Sequence, residues 1–187
     1  MLCISVEDFL VWKKKQLSKG GNQESFAVLL DCMGGVSTSD LNLKILNPSG
    51  NLHLKKSLEF LESVWEDHLI KSCPIQYLCG ITFWRDLKLK VTNKVLIPRP
   101  ETELIVDIVF NIFRKKSEKL FFAELGTGSG AISIALALAY SLSEGVATDI
   151  DQDALEIATK NYINSFEEMQ SIYRNSAFWA KSSFTRV

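Results

Sequence analysis

The residues best suited to chemistry are three alternating glycines, Gly126, Gly128 and Gly130. They lie between an apolar run of strand length, residues 120–125, and an apolar segment of helical length, residues 131–142. Glycine lets a backbone approach a ligand closely, and the first turn of a helix offers N–H groups that have no partner within the helix. A strand, a glycine turn and a helix in this order predict a site for a nucleotide-like ligand.

An aspartate further along the chain supports this prediction. Asp149 follows Gly126 by 23 residues and lies near the end of a second predicted strand, residues 145–150. A carboxylate at that position can accept two hydrogen bonds from a ribose diol. The competing interpretation is a structural turn, with an aspartate that only caps the next helix.

Two ligands fit the glycine pattern. Residues 126–131 also satisfy the Gly-x-Gly-x-x-Gly/Ala form of a dinucleotide-binding loop. Glu124 favours S-adenosylmethionine, because its carboxylate can reach the amino group of a bound amino acid, whereas a pyrophosphate would meet a like charge. Dinucleotide folds also often open with this unit, while here over a hundred residues precede it. The predicted contact residues are Glu124, Gly126, Thr127, Gly128, Ser129, Gly130 and Asp149.

Residues that could bind a metal are scattered along the sequence. The four cysteines, Cys3, Cys32, Cys73 and Cys79, have no Cys-x-x-Cys spacing, and the two histidines, His53 and His68, lie far from each other. A zinc site needs clustered ligands. We therefore expect no metal site, and we expect the cysteines to be reduced thiols.

The composition is that of an ordinary globular chain. It has 187 residues, of which 47% are hydrophobic and 23% charged, enough for one good core or two small ones. With 21 Lys and Arg against 22 Asp and Glu, the net charge is −1, so there is no broad basic field for nucleic acid. No apolar run approaches the roughly 20 residues of a bilayer span, and no leader pattern is visible. We expect a cytoplasmic protein that binds neither nucleic acid directly nor a membrane.

The first half of the sequence has the pattern of a small helical bundle. Ser5 begins a capping box ahead of the first helix. A second helix is predicted over residues 23–33, and Ser37 is the predicted cap of a third, which Asn-Pro at residues 47–48 would end. Apolar residues recur at helical spacing through residues 54–71, the strongest amphipathic signal in the chain.

The second half changes to an alternation of strands and helices. Residues 87–91 alternate between apolar residues and lysine, which predicts a strand paired in a hairpin with residues 81–84. A helix is predicted to begin near Pro100, with six apolar residues on one face: Leu104, Ile105, Ile108, Val109, Ile112 and Phe113. Together with the strands on either side of the glycine loop, this predicts an α/β protein with a parallel sheet and a right-handed crossover.

Four motifs follow one another along the chain. They are Pro-Ile-Gln-Tyr-Leu-Cys-Gly at residues 74–80, Val-Leu-Ile-Pro-Arg-Pro-Glu-Thr-Glu at 95–103, Ala-Glu-Leu-Gly-Thr-Gly-Ser-Gly-Ala at 123–131 and Thr-Asp-Ile-Asp at 148–151. In order and spacing they resemble the motifs of the HemK/PrmC family, over about residues 5–165. The members of this family are protein-(glutamine-N5) methyltransferases that modify peptide chain release factors, and the sequence looks most like bacterial members.

The resemblance implies three regions. Residues 1–73 would be a helical domain that recognises the release factor, and residues 74–97 a β-hairpin linker. Residues 98–187 would be a partial class I, Rossmann-like methyltransferase domain that depends on S-adenosylmethionine. Residues 126–130 would hold the methionine part of the cofactor and Asp149 its ribose. The reaction would be methylation of the glutamine side-chain amide of a release factor.

The sequence departs from the family at the acceptor site. In the family an Asn-Pro-Pro-Tyr motif holds the glutamine to be methylated, and this sequence contains none; its sole Asn-Pro, at residues 47–48, is predicted to be a turn. From about residue 165 the tail does not resemble the later strands, which would leave two parallel strands. We therefore expect a truncated product with impaired transfer. The alternative is a non-catalytic release-factor-binding fragment or a pseudogene product.

Overall fold

The structure is a computed structural model that describes residues 2–46, 50–114, 119–140, 142–173 and 183–185. The chain forms two compact units, Met1–Gly80 and Ile81–Val187. The predicted turn at residues 47–48 lies outside the described residues, as do residues 174–182 and 186–187 of the tail. The described residues form helices and small sheets, which is compatible with the predicted α/β class.

The first unit consists of helices and a short antiparallel ribbon. Its elements are β1 (Leu2–Ser5), α1 (Val6–Ser18), α2 (Gln23–Leu29), a π-helical turn (Leu30–Gly34), α3 (Thr38–Leu46), β2 (Asn51–Leu54), α4 (Leu58–Lys71) and α5 (Ile75–Cys79). The helix predicted over residues 23–33 is thus α-helical at first and then widens into the π-helical turn.

Serine side chains cap three of these helices. The Ser5 hydroxyl accepts a hydrogen bond from the backbone N–H of Asp8 at 3.0 Å, which confirms the predicted cap of α1. The Ser37 hydroxyl accepts one from the backbone N–H of Asp40 at 3.0 Å, also as predicted. Ser57 caps α4 through a 3.3 Å bond to its first turn. The prediction that this helix begins at residue 54 is therefore wrong.

Leu54 belongs instead to the ribbon that sequence reasoning missed. β1 and β2 pair antiparallel, with Leu2 opposite Leu54 and Ser5 opposite Asn51. Leu52 and Leu54 are buried and alternate with exposed residues along β2. The apolar spacing from residue 54 to residue 58 also fits a helix, so periodicity could not separate the two elements.

Trp65 of α4 lies in the core of the first unit. It is fully buried and meets Phe26 edge to face, with the ring centroids 4.9 Å apart. Its indole N–H donates to the carbonyl of Gln16 at 3.2 Å. Gly21, at φ +80°, leaves room for the ring, since an added Cβ would lie 2.5 Å from Trp65 Cζ2. Packing and backbone conformation therefore both require glycine between α1 and α2.

The second unit combines a hairpin, helices and a parallel sheet. Its elements are β3 (Ile81–Trp84), β4 (Leu87–Lys90), a 3-10 turn (Pro100–Thr102), α6 (Glu103–Ile112), β5 (Phe121–Leu125), α7 (Ala131–Ala139), β6 (Glu144–Thr148), α8 (Gln152–Tyr173) and β7 (Ser183–Thr185). The predicted hairpin is confirmed, because β3 and β4 pair antiparallel with Trp84 opposite Leu87.

The parallel sheet has the order β5-β6-β7 among the described residues. β5 and β6 are the pair predicted around the glycine loop, and Leu125 lies opposite Thr148. The expectation of only two parallel strands is wrong, because β7 pairs in parallel with β6 and places Ser183 opposite Glu144. A strand of three residues is too short to give a visible sequence pattern.

Most of the six apolar residues grouped by spacing do not lie on the buried side of α6. Leu104, Ile108 and Ile112 are 63%, 49% and 67% exposed. The core receives Val106, which is fully buried, together with Phe110 and one of the six, Val109. Apolar residues occupy most of the circumference of α6, so their spacing alone does not define which side is buried.

Neither a membrane span nor a metal cluster is found in the part of the chain that the structure describes. The four cysteines are free thiols. Cys32 and Cys79 lie close together, and their hydrogen bond, together with burial, raises the pKa of the Cys79 thiol.

The first unit is expected to fold by itself, because its buried core is drawn from residues 6–75 alone. A polypeptide of residues 1–80 should lose its helical circular dichroism on heating in one cooperative transition. Trp65→Ala should remove about 3–5 kcal/mol and abolish that transition. Ile70→Ala, at an exposed site on the same helix, should leave it unchanged. Non-cooperative melting of the parent polypeptide would contradict the prediction.

Candidate functional site

The glycine loop joins β5 to α7 beside the end of β6. The backbone N–H groups of Gly126 and Thr127 both donate to the carbonyl of Thr148, each at 2.9 Å. Gly126, Gly128 and Gly130 have φ values of +74°, +54° and +83°. Residues with a side chain adopt this backbone conformation only with strain. The path of the loop therefore requires its glycines.

The two ends of the loop differ in the space around them. An added Cβ at Gly126 or Gly128 would meet nothing within 4 Å. At Gly130 it would lie 3.1 Å from Ile134 and 3.2 Å from Ala158. The first part of the loop is therefore open to a ligand, while its last glycine is closely packed against α7 and α8.

Glu124, on β5, stabilises the loop through hydrogen bonds. Its Oε2 accepts hydrogen bonds from the Thr127 hydroxyl at 2.7 Å and from the Ser133 backbone N–H at 3.1 Å. The Ser133 hydroxyl donates to the same oxygen. Because Ser133 lies in the first turn of α7, the carboxylate is placed at the positive end of that helix.

Burial has the largest influence on the ionisation of Glu124. It raises the pKa of the carboxyl group above its ordinary value of 4.5, and the charge of Asp149 acts in the same direction. The hydrogen bonds from Ser133 and Thr127 act in the opposite direction. Glu124 therefore keeps its proton to a higher pH than an exposed glutamate does.

Asp149 directly follows β6 and faces the loop. Its Oδ2 accepts a hydrogen bond from the backbone N–H of Gly128 at 2.8 Å, and its Oδ1 accepts one from the backbone N–H of Asp151 at 3.0 Å. Each oxygen has a second acceptor position beyond these bonds. The cap of α8 is Asp151, which accepts from the backbone N–H of Asp153 at 2.8 Å. Capping that helix is thus not the role of Asp149.

Sequence reasoning missed Asn161, which holds the loop in place. Its side chain is buried; Nδ2 donates to the carbonyls of Ser129 and Lys90, each at 2.9 Å. Its Oδ1 accepts from the backbone N–H of Lys90 at 2.7 Å. The available signal was its position, since Asn161 follows the buried Ala154 and Ala158 at helical spacing. A polar residue on a buried helix face needs partners.

The Pro-Arg-Pro-Glu-Thr segment lies against the hairpin. The Trp84 indole N–H donates to the carbonyl of Arg99 at 2.9 Å. The Arg85 guanidinium donates to the carbonyl of Glu103 at 3.3 Å and forms an ion pair with Asp107 at 2.8 Å. The hairpin therefore anchors one of the motifs that carry the family resemblance.

Two carboxylates and an open glycine loop thus meet where β5 and β6 end. A site at the carboxyl ends of parallel strands, beside a helix N-terminus, is typical of α/β proteins that bind nucleotide-like ligands. The architecture of the second unit is of this class.

Comparison with curated proteins identifies relatives within this class. A release factor glutamine methyltransferase of Prochlorococcus marinus is 42% identical over 180 residues, which are 94% of this chain and 60% of the relative. Proteins of the same name from Gloeobacter violaceus and Bacillus subtilis are 33% and 32% identical over 80% and 84% of this chain. The chain spans 52% and 54% of their lengths. No family model matches the chain.

These likenesses extend over most of the sequence. The chain is therefore a homologue of the release factor glutamine methyltransferases, and the resemblance to the HemK/PrmC family is confirmed. It spans little more than half the length of several of these relatives.

The raised pKa of Glu124 predicts a pH dependence of stability. Because the folded protein holds this proton more tightly than the unfolded chain, the stability that it contributes is present below pH 4.5 and is lost as the pH rises through the folded pKa. The free energy of unfolding of the parent, minus that of Glu124→Gln, should therefore fall as the pH rises above 4.5. Urea unfolding titrations at pH values from 4 to 7 measure this difference. Glu167→Gln, at an exposed site on α8, is the control, and parallel curves for parent and Glu124→Gln would contradict the prediction.

Proposed function

We propose that the second unit binds S-adenosylmethionine, and that the function of this fold is methylation of a glutamine side chain of a peptide chain release factor. The observation that carries the proposal is the meeting of Glu124, the open glycine loop and Asp149 at the ends of two parallel strands. The name of the relatives supplies the acceptor and the reaction. S-adenosylmethionine supplies the methyl group when it is bound.

Each end of this cofactor has a matching group in the site. Its amino group would bind Oε1 of Glu124, because the bonds to the loop converge on Oε2. Its ribose diol would take the two remaining acceptor positions of Asp149. Gly126 and Gly128, which are open on their outer side, would let the methionine part lie on the backbone, with residues 127–130 completing the loop.

The position of Glu124 argues against a dinucleotide. A pyrophosphate binds at a helix N-terminus through backbone N–H groups. In the first turn of α7 the N–H of Ser133 is already bound to the Glu124 carboxylate, and a further anion there would meet a like charge. A cationic amino group is attracted to the same place.

We infer that the first unit recognises the release factor. The region matched by the Prochlorococcus marinus relative covers 94% of this chain and so extends over both units. In this proposal residues 1–73 bind the protein substrate, residues 74–97 link the two regions, and residues 98–187 hold the cofactor. No nucleic acid takes part in the proposed recognition.

Transfer of the methyl group needs more than a bound cofactor. An amide nitrogen is a poor nucleophile, because its lone pair is delocalised into the carbonyl, so a site must fix it in line with the methyl group. The family resemblance assigns this task to an Asn-Pro-Pro-Tyr motif, which the sequence lacks. By analogy with an oxyanion-hole donor, one such interaction contributes roughly 10²–10³ in rate. We infer that this chain by itself binds the cofactor without efficient transfer.

Calorimetric titration with S-adenosylhomocysteine tests the cofactor site. Asp149→Ala should weaken binding about 10- to 150-fold, which corresponds to roughly 1.5–3 kcal/mol for a hydrogen bond to a charged group. Asp149→Asn keeps one acceptor oxygen and should give an intermediate affinity. Asp151→Ala removes a helix cap from the same turn and should bind as the parent does. Equal binding by parent and Asp149→Ala would exclude Asp149 from the site.

Methyl transfer is tested with a release factor and labelled S-adenosylmethionine. The purified chain should transfer no label above the control without enzyme, because its sequence contains no Asn-Pro-Pro-Tyr motif to fix the glutamine amide. The Bacillus subtilis relative serves as the positive control. Glutamine methylation that Gly128→Asp abolishes would show that this chain has an acceptor site of its own, since that substitution fills the open side of the loop.

A further inference from the structure

Two thiols lie in hydrogen-bond contact inside the first unit. Cys79 is the last residue of α5, and its thiol is hydrogen-bonded to Cys32 of the π-helical turn that follows α2. The cysteines are scattered along the sequence and share no short spacing. The contact between these two is therefore a product of the fold.

Helix α5 holds Cys79 in this position. The helix contacts α2 and α4, and its first residue, Ile75, is buried in the core of the first unit. Leu78 and Cys79 pack against the same core, which includes Leu30 of the π-helical turn. A disulfide forms without backbone movement only where two cysteine side chains already approach each other. The packing of α5 provides that condition.

The surroundings of the cysteines favour this pair. Cys32 and Cys79 are half-buried, so a molecule as small as a peroxide can reach them. Cys3 lies instead on β1 opposite His53. The Cys73 thiol donates to the carbonyl of the residue that follows it, at 3.7 Å. The structure therefore brings together the sulfurs of Cys32 and Cys79.

We propose that Cys32 and Cys79 form a modification site, at which a peroxide joins the two thiols in a reversible disulfide. The Cys32 thiolate attacks one peroxide oxygen and the O–O bond breaks. The hydroxide released takes up the proton that Cys32 lost, which leaves water and a sulfenic acid. The Cys79 sulfur then attacks the sulfenic sulfur, the S–S bond forms, the S–O bond breaks, and the hydroxyl group leaves with the Cys79 proton as a second water. The two sulfurs lose two electrons and the peroxide gains them.

The order of these steps follows from the state of Cys79. Its hydrogen bond to Cys32, together with burial, raises the pKa of the Cys79 thiol, which therefore keeps its proton. Because the thiolate is the nucleophile, the first attack is assigned to Cys32 and the second to Cys79. The site lies wholly within the first unit, and the inference does not depend on cofactor binding by the second.

Peptide mapping of the full chain tests this site. The reduced protein is treated with hydrogen peroxide, the remaining thiols are blocked with N-ethylmaleimide, and proteolytic peptides are identified by mass spectrometry. Two of the four thiols should be lost, and one linked peptide should join Cys32 to Cys79. Dithiothreitol should restore both thiols. In concentrated urea this selectivity should disappear, because closing the shorter loop from Cys73 to Cys79 costs less entropy.

Single variants provide the controls. Cys73→Ser removes another half-buried thiol of the first unit and should form the bond as the parent does. Cys32→Ser and Cys79→Ser should give no linked peptide, and circular dichroism establishes that each variant is folded. In the folded parent, bonds from either residue to Cys3 or Cys73 at equal yield would overturn the proposal. Oxidation to sulfinic acid without a linked peptide would also overturn it.

Phenylarsine oxide gives a second readout that needs no oxidant. Its arsenic bonds two thiols and releases its oxygen as water, so tight binding requires two sulfurs that lie close together. The reduced parent and Cys73→Ser should bind it, whereas Cys32→Ser, Cys79→Ser and the peroxide-treated parent should bind at least about tenfold more weakly. A reduced parent that binds no more tightly than Cys79→Ser would show that the thiols are apart in solution and would overturn the proposal.

Discussion

The arrangement of the second unit depends on hydrogen bonds from the side chain of Asn161. One amide bonds both backbone groups of Lys90 and the carbonyl of Ser129, and so joins α8 to the hairpin and to the glycine loop. An amide suits this position because it offers donors and an acceptor together, whereas a carboxylate would set oxygen against two carbonyls. In a buried site each unmade bond costs about 1–3 kcal/mol. The loop is therefore fixed relative to the hairpin by a directional contact in addition to apolar packing.

The two carboxylates of the site also hold the glycine loop through hydrogen bonds. Glu124 holds the first turn of α7 and Asp149 holds Gly128, so the loop and both side chains are ordered by one another. Each carboxylate keeps acceptor positions that these bonds do not use. A ligand that fits these positions would bind without ordering the side chains anew, which lowers the entropic cost of association. The same two carboxylates can therefore hold the loop and contact the proposed ligand at the same time.

Sequence reasoning predicts the features that have a local cause. The Ser5 cap, the hairpin and the glycine loop depend on residues a few positions apart. Sequence reasoning fails where a residue contacts another that is distant in the sequence. The spacing of Leu54 fits a helix, but it pairs with Leu2 in a strand. Asn161 forms its hydrogen bonds with a residue 71 positions away. Within the candidate site, the pattern predicts the position of Glu124 but not its bonds to α7. The orientation of α6 could not be predicted for a different reason. Apolar residues cover most of its circumference, so their spacing does not define one buried side.

The charges of the site place a further constraint on its ligand. Burial of Glu124 disfavours its ionisation, and the nearby negative charge of Asp149 adds to this effect. A cationic group beside Glu124 would favour its ionised form, whereas an anionic group would disfavour that form further. These charges therefore support the proposed ligand, S-adenosylmethionine, over a ligand that would place a pyrophosphate beside Glu124.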